Sequence, residues 1–507
     1  MNVRAIAGVF LFATAGCAKT TAPAIPPSAP AELTTPAAAD EDDEGFGDDE
    51  DEEDYEDEGG FGGGGGGGDE DAAATPPPQW AKDAASKIVA AAKGKTRAWD
   101  RLAMMSDTYG HRLSGSKALE DAIGWTLDTM KADGLDNVRK EKVMVPHWVR
   151  GKESLAITSP VKRDLTMLGL GMSVGTRGTM QGEVVVVNHV DEIAKLDDAA
   201  VKGKIVLINQ AMPPFNHDTG DTHYGPTVQA RTRGASEAAK KGAKGVLVRS
   251  VTAVSLDNPH TGTLRYEEGV KKIPAAAVTV EGAELLVRMA KRGPVKVALK
   301  MGAKQLPDAP SGNAIAEIVG REKPEEVVVI GGHIDSWDVG DGSSDDGAGC
   351  MMAMEAAALL KETGLVPKRT IRVVLFTNEE NGLRGGKAYF KAHGDEPHAG
   401  AIESDSGSGA PTGFSLAGDD AAALKRLQAW QEIFGGLGDL KITKGWGGAD
   451  ISPLTEAGVL SMAVRPDASH YFDLHHSPAD TIDKVDPDHL ERNAAAMALM
   501  AFVLAER

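Results

Sequence analysis

Histidine and acidic residues cluster at four places along the chain, and each place follows an apolar run typical of a buried strand. The first is GGHIDSWDVGDGSSDDGAG, residues 331–349, directly after the run at 327–330. The second is TNEENG after IRVVLF, the third is ESDSG after AGAI, and the fourth is DLHHSPADT near the C-terminus. Each segment alone is more typical of a solvated turn, a helix start or a structural histidine than of a site.

Taken together, the four segments predict a metal site. In an open sheet, ligands bind beyond the carboxyl ends of the strands, so two histidines and at least three carboxylates would converge on one edge. Burying these groups without partners would be costly, so cations must neutralise them, and imidazole with carboxylate suits Zn²⁺. A two-metal site needs a bridging carboxylate, two terminal ligands for each ion and one unliganded base, and the segments supply this set.

These segments also resemble the two-zinc aminopeptidase-type family of metallopeptidases. GGHIDSWDVG, SSDDGAG, TNEENG, ESDSG and HHSPADT carry the resemblance, and YGHRLSGSKALEDAI, RTRGASEAAKKGA and PHTG extend it over roughly residues 95–507. The resemblance implies a zinc-peptidase fold with two Zn²⁺ ions. Glutaminyl cyclases of the same family use one zinc and lack the first histidine, so the presence of His333 argues against that activity.

The resemblance also implies a role for each matching residue. His333 and Asp405 would bind one zinc, Glu380 and His476 would bind the other, and Asp345 would bridge both. The implied metal ligands are therefore His333, Asp345, Glu380, Asp405 and His476.

The general base implied by the resemblance is Glu379, which would take a proton from the attacking water. His475 competes with His476 for the last ligand position. We prefer His476 because it stands four residues before Asp480, as the family's HxxxD spacing requires. Three acids are candidates for supporting contacts, with a helix cap or a turn as the alternative for each: Asp335, which could orient His333; Asp480, which could orient His476; and Asp450.

The elements that must position these residues follow Asn313, where strands and helices alternate. This pattern predicts an α/β domain with three layers, helix/sheet/helix, around a mixed central sheet. The predicted strands are 315–318, 327–330, 370–377, 399–404 and 459–464, and the predicted helices are 346–360, 383–393, 420–434 and 487–504. Residues 80–140 are predicted to be helical.

A second α/β unit is predicted within this domain, over residues 151–304, and it resembles a protease-associated domain. The catalytic domain would then comprise residues 80–150 and 305–507. We expect the insertion to cap the cleft and to restrict entry to short peptides, with a purely stabilising role as the alternative. Within it, DTGDTHYGP with His217 and His223 is metal-like in composition, but we do not expect an accessory metal site there.

The N-terminus MNVRAIAGVFLFATAGC predicts a secretory signal peptide over residues 1–16. Ala-Gly-Cys resembles a lipoprotein cleavage box, which predicts a lipid anchor on Cys17, although Thr14 stands where that box usually has leucine. An ordinary cleaved signal with an incidental cysteine is the alternative. The protein would be exported, either as a cell-envelope lipoprotein anchored without spanning the membrane or as a secreted protein.

Residues 17–79 are rich in acidic residues, glycine and proline, which predicts a disordered tether. The stretch 40–71 holds 18 acidic and no basic residues of a chain whose net charge is −21. Outside it the chain has 57 acidic and 54 basic residues. The folded part is thus nearly neutral, and this balance does not indicate nucleic-acid binding.

These observations predict an exported two-zinc exopeptidase for small peptides. The resemblance implies dipeptides with a free N-terminus as substrates, and it also implies a homodimer. An aminopeptidase acting on longer peptides is a related alternative. An inactive surface-binding lipoprotein is the alternative of another class, but such a protein is expected to lack a ligand or the base, and this chain has both.

Overall fold

The structure is a computed structural model that describes residues 75–507. The predicted signal peptide (1–16), Cys17 and the tether up to residue 74 lie outside the described residues. None of the helices within 75–507 has both the length and the apolar character needed to cross a membrane.

Sixteen strands form two sheets among the described residues. In chain order the strands are β1 (Asp136–Val149), β2 (Glu153–Ser159), β3 (Arg163–Leu165), β4 (Met167–Gly169), β5 (Met180–Val187), β6 (Ile205–Ile208), β7 (Gly245–Arg249), β8 (Ala275–Val278), β9 (Lys296–Met301), β10 (Lys304–Ile318), β11 (Lys323–His333), β12 (Arg369–Phe376), β13 (His398–Glu403), β14 (Pro411–Leu416), β15 (Lys441–Lys444) and β16 (Ser461–Pro466).

The same part of the chain has thirteen α-helices, together with short 3₁₀ turns and one π-helical turn. The α-helices are α1 (Gln79–Ala92), α2 (Arg97–Tyr109), α3 (Lys117–Ala132), α4 (Asp198–Val201), α5 (Tyr224–Thr232), α6 (Gly234–Lys240), α7 (Val280–Ala290), α8 (Ala348–Thr363), α9 (Arg384–His393), α10 (Ala421–Gln428), α11 (Ser452–Glu456), α12 (Tyr471–Leu474) and α13 (Pro487–Glu506).

The first sheet has the order β1-β10-β12-β11-β13-β16-β14-β15. Its centre, β12-β11-β13-β16, is parallel. The pairs β1-β10, β10-β12 and β16-β14 are antiparallel, and β14 and β15 are parallel. The sheet is therefore mixed, as the sequence predicts. Because four adjacent strands run the same way, their carboxyl ends lie on one edge of the sheet.

Helices cover both faces of this sheet because successive strand residues point to opposite sides. On β11, Val328 and Ile330 pack in a core with α1, α2, α8 and α13, whereas Val327 and Val329 pack in a second core with residues of α9 and α11. The predicted three-layer helix/sheet/helix fold is confirmed.

The second sheet is formed only by residues between 153 and 301, so it is inserted between β1 and β10 of the first. Its order is β3-β2-β9-β5-β6-β7-β8-β4, with β5-β6-β7-β8 parallel. Residues of α6 pack on one face and residues of α7 on the other. It is a compact α/β unit, as predicted.

Two local predictions are wrong. The end of the region predicted as helical, residues 136–140, belongs to the edge strand β1. Helix α8 begins at Ala348 and not at Asp346, because a π-helical turn at Ser343–Gly347 precedes it. Asp346 instead accepts a hydrogen bond from Gly349 N (3.0 Å) in the first turn of α8.

Candidate metal centre

The central parallel strands bring the predicted site residues to one edge of the first sheet. His333 is the last residue of β11, Glu379 and Glu380 follow the end of β12, and Asp405 follows the end of β13. His476 lies in the segment between β16 and α13. We refer to the following residues as the strand-end cluster: His333, Asp345, Glu379, Glu380, Asp405 and His476.

Asp345 lies between the two histidines of the strand-end cluster, with one carboxylate oxygen toward each. Its Oδ1 is 3.3 Å from Nε2 of His333, and its Oδ2 is 3.3 Å from Nε2 of His476. Asp405 Oδ1 lies 3.6 Å from the same nitrogen of His333, and Glu380 Oε2 lies 3.0 Å from that of His476. This arrangement offers two adjacent sets of ligand atoms that share one carboxylate.

Buried carboxylate oxygens in the strand-end cluster lack partners. Asp345 Oδ2 and Glu380 Oε1 have no hydrogen-bond partner within the described part of the chain. Burial raises the pKa of Asp345, and it raises the pKa of Glu380 well above its ordinary value, with the Asp345 charge adding to the shift of Glu380. His333, whose pKa is raised against its burial by Asp345 and Asp405, opposes this shift for Asp345, but the pKa of His476 is lowered by burial, so the two histidines do not neutralise the four carboxylates of the cluster. The unpaired oxygens, together with imidazole donors, fit divalent cations such as Zn²⁺.

Glu379 is half-buried beside these groups and is positioned through its backbone. Its N–H donates to Asp335 Oδ1 (3.0 Å). Burial raises the pKa of Glu379 to about 8, and the neighbouring carboxylates of Asp405, Asp335 and Asp345 act in the same direction, against His333.

His475 also lies at this edge of the sheet, so the structure brings both candidates for the last ligand position together. Its ring stacks on that of His476 at 3.5 Å between centroids, and its Nε2 is 3.7 Å from Asp345 Oδ2. His476 is closer to Asp345, at 3.3 Å, and is also close to Glu380. The distances favour His476.

Two supporting contacts predicted from the sequence are formed differently. Nδ1 of His333 donates to the backbone carbonyl of Asp335 (3.0 Å), not to its carboxylate, which accepts from Glu379 N. The Asp480 carboxylate accepts from the N–H groups of Ser344 (2.7 Å) and Asp345 (3.1 Å). Asp480 therefore orients the backbone that carries Asp345 and not the ring of His476.

A second pair of buried acids, Asp450 and Glu403, adjoins the strand-end cluster. Glu403 accepts from the backbone N–H groups of Ala449 (3.1 Å) and Ile451 (3.0 Å). Burial, together with the charge of Asp405, raises the pKa of Glu403 to about 7. Both carboxylate oxygens of Asp450 are buried and have no hydrogen-bond partner among residues 75–507. Asp450 thus lies near the cluster, as expected, but without a hydrogen bond that would define a supporting contact.

The histidines of the metal-like segment in the insertion do not join a candidate metal group. His223 Nδ1 lies 3.1 Å from Asp221 Oδ2, and the His217 ring packs edge-on against Phe215. Within 75–507, the groups of histidine and acidic side chains that could hold a metal consist only of residues at the edge of the first sheet.

Residues of the inserted unit also contact this edge, and their sequence alone does not predict a role for them there. Arg231 and the loop containing PHTG contact the segment with His475 and His476. RTRGASEAAKKGA and PHTG signal these residues in the sequence, but only as parts of a resemblance. Nothing in their composition indicates a contact across more than two hundred residues.

The fold and this set of donors define a zinc metallopeptidase. The chain belongs to peptidase family M28, whose family model matches residues 313–501, and a PA-domain model matches residues 180–286.

Similar proteins agree with this family assignment. The chain is 42% identical to carboxypeptidase Q of Mus musculus over 435 residues, which are 84% of this chain and 90% of the relative. A crystal structure of a peptidase M28 precursor from Shewanella amazonensis SB2B has a TM-score of 0.81 and 36% identity, and the match covers 84% of this chain and 97% of that chain. The fold also resembles BSAP, a zinc aminopeptidase from Bacillus subtilis, with a TM-score of 0.59 and 20% identity over 81% of this chain and 96% of that chain.

Proposed function

We propose that the protein is a two-zinc exopeptidase that hydrolyses small peptides, in particular dipeptides with a free N-terminus. One observation carries the proposal: the two oxygens of Asp345 face two different histidines at equal distances of 3.3 Å. A carboxylate in this position suits a bridge between two ions, and each histidine has a further carboxylate beside it.

The ligands divide into two sets around that bridge. His333 and Asp405 would hold one zinc, Glu380 and His476 would hold the other, and Asp345 would contact both. The unpaired oxygens of Asp345 and Glu380 support this division, since a cation would neutralise groups that the described residues leave without partners. Zinc at these positions would supply a Lewis acid that lowers the pKa of water and stabilises negative charge on the scissile carbonyl.

Glu379 would be the general base. Glu379 lies beside both ligand sets but is not one of the proposed ligands. The hydrogen bond from its backbone N–H to Asp335 holds it in place. Its carboxylate would accept a proton as water attacks the peptide carbonyl, and it would then deliver the proton to the leaving amine. The pKa of about 8 describes the metal-free cluster, and positive charge nearby would lower it toward the ionised, proton-accepting form.

The relatives support cleavage at a peptide end, and the insertion supports a preference for short peptides, whereas the free N-terminus rests on the family resemblance alone. Relatives that are 42% identical over 84% of this chain are carboxypeptidases by name. The inserted unit lies against the segment of His476, beside the proposed reaction site, so it would narrow access to the cleft and favour short peptides. The predicted homodimer stays a proposal that the mass of the native protein in solution would test.

We further propose that the protein is exported and anchored by lipid on Cys17. The support is the N-terminal sequence, with its short apolar run followed by Ala-Gly-Cys. Replacing Cys17 with serine should release the protein from the membrane fraction if the lipid is the anchor.

The experiment that tests the substrate class is hydrolysis of a library of dipeptides, compared with N-terminally blocked dipeptides and longer peptides. We expect turnover of free dipeptides and little or none of blocked ones. Faster turnover of longer peptides with a free N-terminus would instead identify an aminopeptidase of broader range. No turnover of any peptide by protein loaded with zinc would favour the surface-binding alternative.

A further inference from the structure

The inserted unit contacts the segment that carries His476. We call residues His475–Ser477 the histidine segment, and residues 258–262, which lie between β7 and β8, the crossing loop. Three hydrogen bonds join them: Thr261 N donates to His476 O (2.9 Å), His260 Nδ1 donates to His475 O (2.7 Å), and Asn258 Nδ2 donates to Ser477 Oγ (2.7 Å).

Arg231 of helix α5 adds a side-chain contact at the same place. It is buried, and its Nη1 lies 3.2 Å from Nδ1 of His476 and donates to Thr261 O (3.1 Å). Its Nη2 donates to the hydroxyl of Tyr224 (2.7 Å). The fit is close: a Cβ at Gly262, where φ is +128°, would lie 2.3 Å from Arg231 Nη1 and 2.6 Å from His476 Nδ1.

The two histidines of the strand-end cluster are therefore supported by different parts of the chain. His333 ends a central strand, its N–H donates to Asp346 Oδ2 (3.0 Å), and its Nδ1 donates to Asp335 O (3.0 Å), so its support comes from the peptidase domain. His476 lies outside any regular element, after the four-residue helix α12. A segment with so little regular structure depends on tertiary contacts to fix its position.

We propose that Arg231 and the crossing loop hold His476 in place as a zinc ligand. The inserted unit would then support the zinc position of His476 and Glu380 but not the position of His333 and Asp405. Zinc on Nε2 leaves the proton of a neutral imidazole on Nδ1, so Arg231 cannot donate to the liganding ring. Arg231 is then a positioning residue that acts through the crossing loop, by its hydrogen bond to Thr261 O, and through its packing against His476. This inference rests on the two-zinc site proposed above. Partners that orient a metal-binding histidine typically change metal affinity by about 10- to 100-fold when they are removed.

The direct test is zinc binding by Arg231→Met, which keeps most of the side-chain volume and removes the donors. We expect the zinc affinity of one position to fall by about 10- to 100-fold and that of the other to stay unchanged, in titration calorimetry of metal-free protein. After dialysis against a competing chelator that leaves two zinc ions on the wild type, the variant should keep one.

Arg249→Met is the matched control. Arg249 belongs to the same inserted unit, its Nη1 pairs with Glu284 Oε1 (2.6 Å), and like Arg231 it has a buried Nε with no partner among the described residues. Its hydrogen bonds within residues 75–507 go to Asn209 and Glu284 and not to the histidine segment, so we expect this variant to keep both zinc ions and the wild-type affinities.

Double variants identify the position that is lost. Arg231→Met combined with His476→Ala should lose no more zinc than His476→Ala alone, because both changes act on one position. Arg231→Met combined with His333→Ala should lose both. Gly262→Ala retains every polar group and displaces Arg231 and His476 by contact, so it should reproduce the loss seen with Arg231→Met.

The outcomes separate this inference from the proposed function. A wild-type protein that never binds two zinc ions would refute the two-zinc site, and the inference with it. A wild type with two zinc ions, together with folded Arg231→Met and Gly262→Ala proteins that bind both ions with unchanged affinity, would overturn the inference alone. Circular dichroism establishes folding, and if Arg231→Met does not fold, the result for Gly262→Ala decides.

Discussion

The strand-end cluster and a second, partly buried cluster of charged side chains lie on the same sheet, and their carboxylates have different surroundings. The second cluster, which we call the Arg372 network, consists of Arg372, Glu317, Glu396, His393 and Glu141. In it, Arg372 contacts Glu317 and Glu396 at 2.7 Å each, and His393 contacts Glu396 at 2.7 Å and Glu141 at 2.9 Å. Each of its carboxylates thus has a cationic partner from the chain or one that becomes cationic on protonation.

The pKa values of the two clusters move in opposite directions. In the Arg372 network, burial alone would raise the pKa of Glu317, but hydrogen bonds from Asn137 and Arg372 and the charge of Arg372 outweigh it, and the pKa is lowered. In the strand-end cluster, burial and neighbouring carboxylates raise the pKa of Asp345 and Glu380.

The difference teaches how a buried acid can be interpreted. When a buried acid has a cationic side chain as its partner, the protein itself balances the charge and no bound ion is needed. A group of acids that outnumbers its cationic partners, as four carboxylates do around His333, indicates that the remaining neutralising charge comes from a ligand. The strand-end cluster is therefore the place where this protein needs cations, and the Arg372 network is a natural control for it.

The largest expected effect is the loss of turnover when Glu379, the one carboxylate of the strand-end cluster that is not a proposed ligand, is changed. Glu379→Gln should reduce kcat on a dipeptide by about 10²- to 10⁴-fold, because the general base is lost. Zinc content should stay at the wild-type level. A fully active Glu379→Gln enzyme would show that the base is another residue.

The next largest effect should come from breaking the Arg372 network. Arg372→Met leaves the buried Glu317 with only the more distant Arg139 as a cation and removes one of the two partners of the half-buried Glu396, which should lower the free energy of unfolding by about 3–5 kcal/mol in urea denaturation. Zinc content of the folded protein should not change. A loss of zinc would show that the two clusters are coupled and would remove the network as a control.

Counted for each zinc site, a smaller effect is expected from metal removal. Zinc at about 100 times its dissociation constant should stabilise the folded protein by about 2.7 kcal/mol for each site, and a chelator should remove this stabilisation. The shift in unfolding midpoint should be the same in wild type and Arg372→Met, because the network does not hold metal. A midpoint that does not respond to the chelator would contradict cation binding at the strand-end cluster.

The smallest effect is a pH dependence of the Arg372 network. Hydrogen bonding to Glu141, opposed by burial, raises the pKa of His393 above its ordinary value of 6.5. The stabilisation from charged His393 is therefore complete below that value, and it is lost as the pH rises through the raised pKa. The difference in unfolding free energy between wild type and His393→Gln should be larger at about pH 6 than at about pH 9. An equal difference at both pH values would contradict this role of His393.

The sequence predicts the strand-end positions well because they depend on local order: an apolar strand, then a polar residue at its carboxyl end. It does not predict β1, since an edge strand tolerates charged residues such as Arg139 and Lys142, and the alternation of apolar and polar residues is lost. The contact of Arg231 with His476 is also beyond sequence reasoning. It depends on how two folded units meet, and no local pattern encodes it.

Zinc content tests most directly whether cations neutralise the strand-end cluster. Elemental mass spectrometry of the purified protein should give two zinc ions per chain, as a bridging carboxylate with two ligand sets requires. Asp345→Asn, which alters the shared ligand, should lose zinc, whereas Arg249→Met should keep it. Fewer than about one metal ion per chain in wild-type protein supplied with zinc would contradict the account.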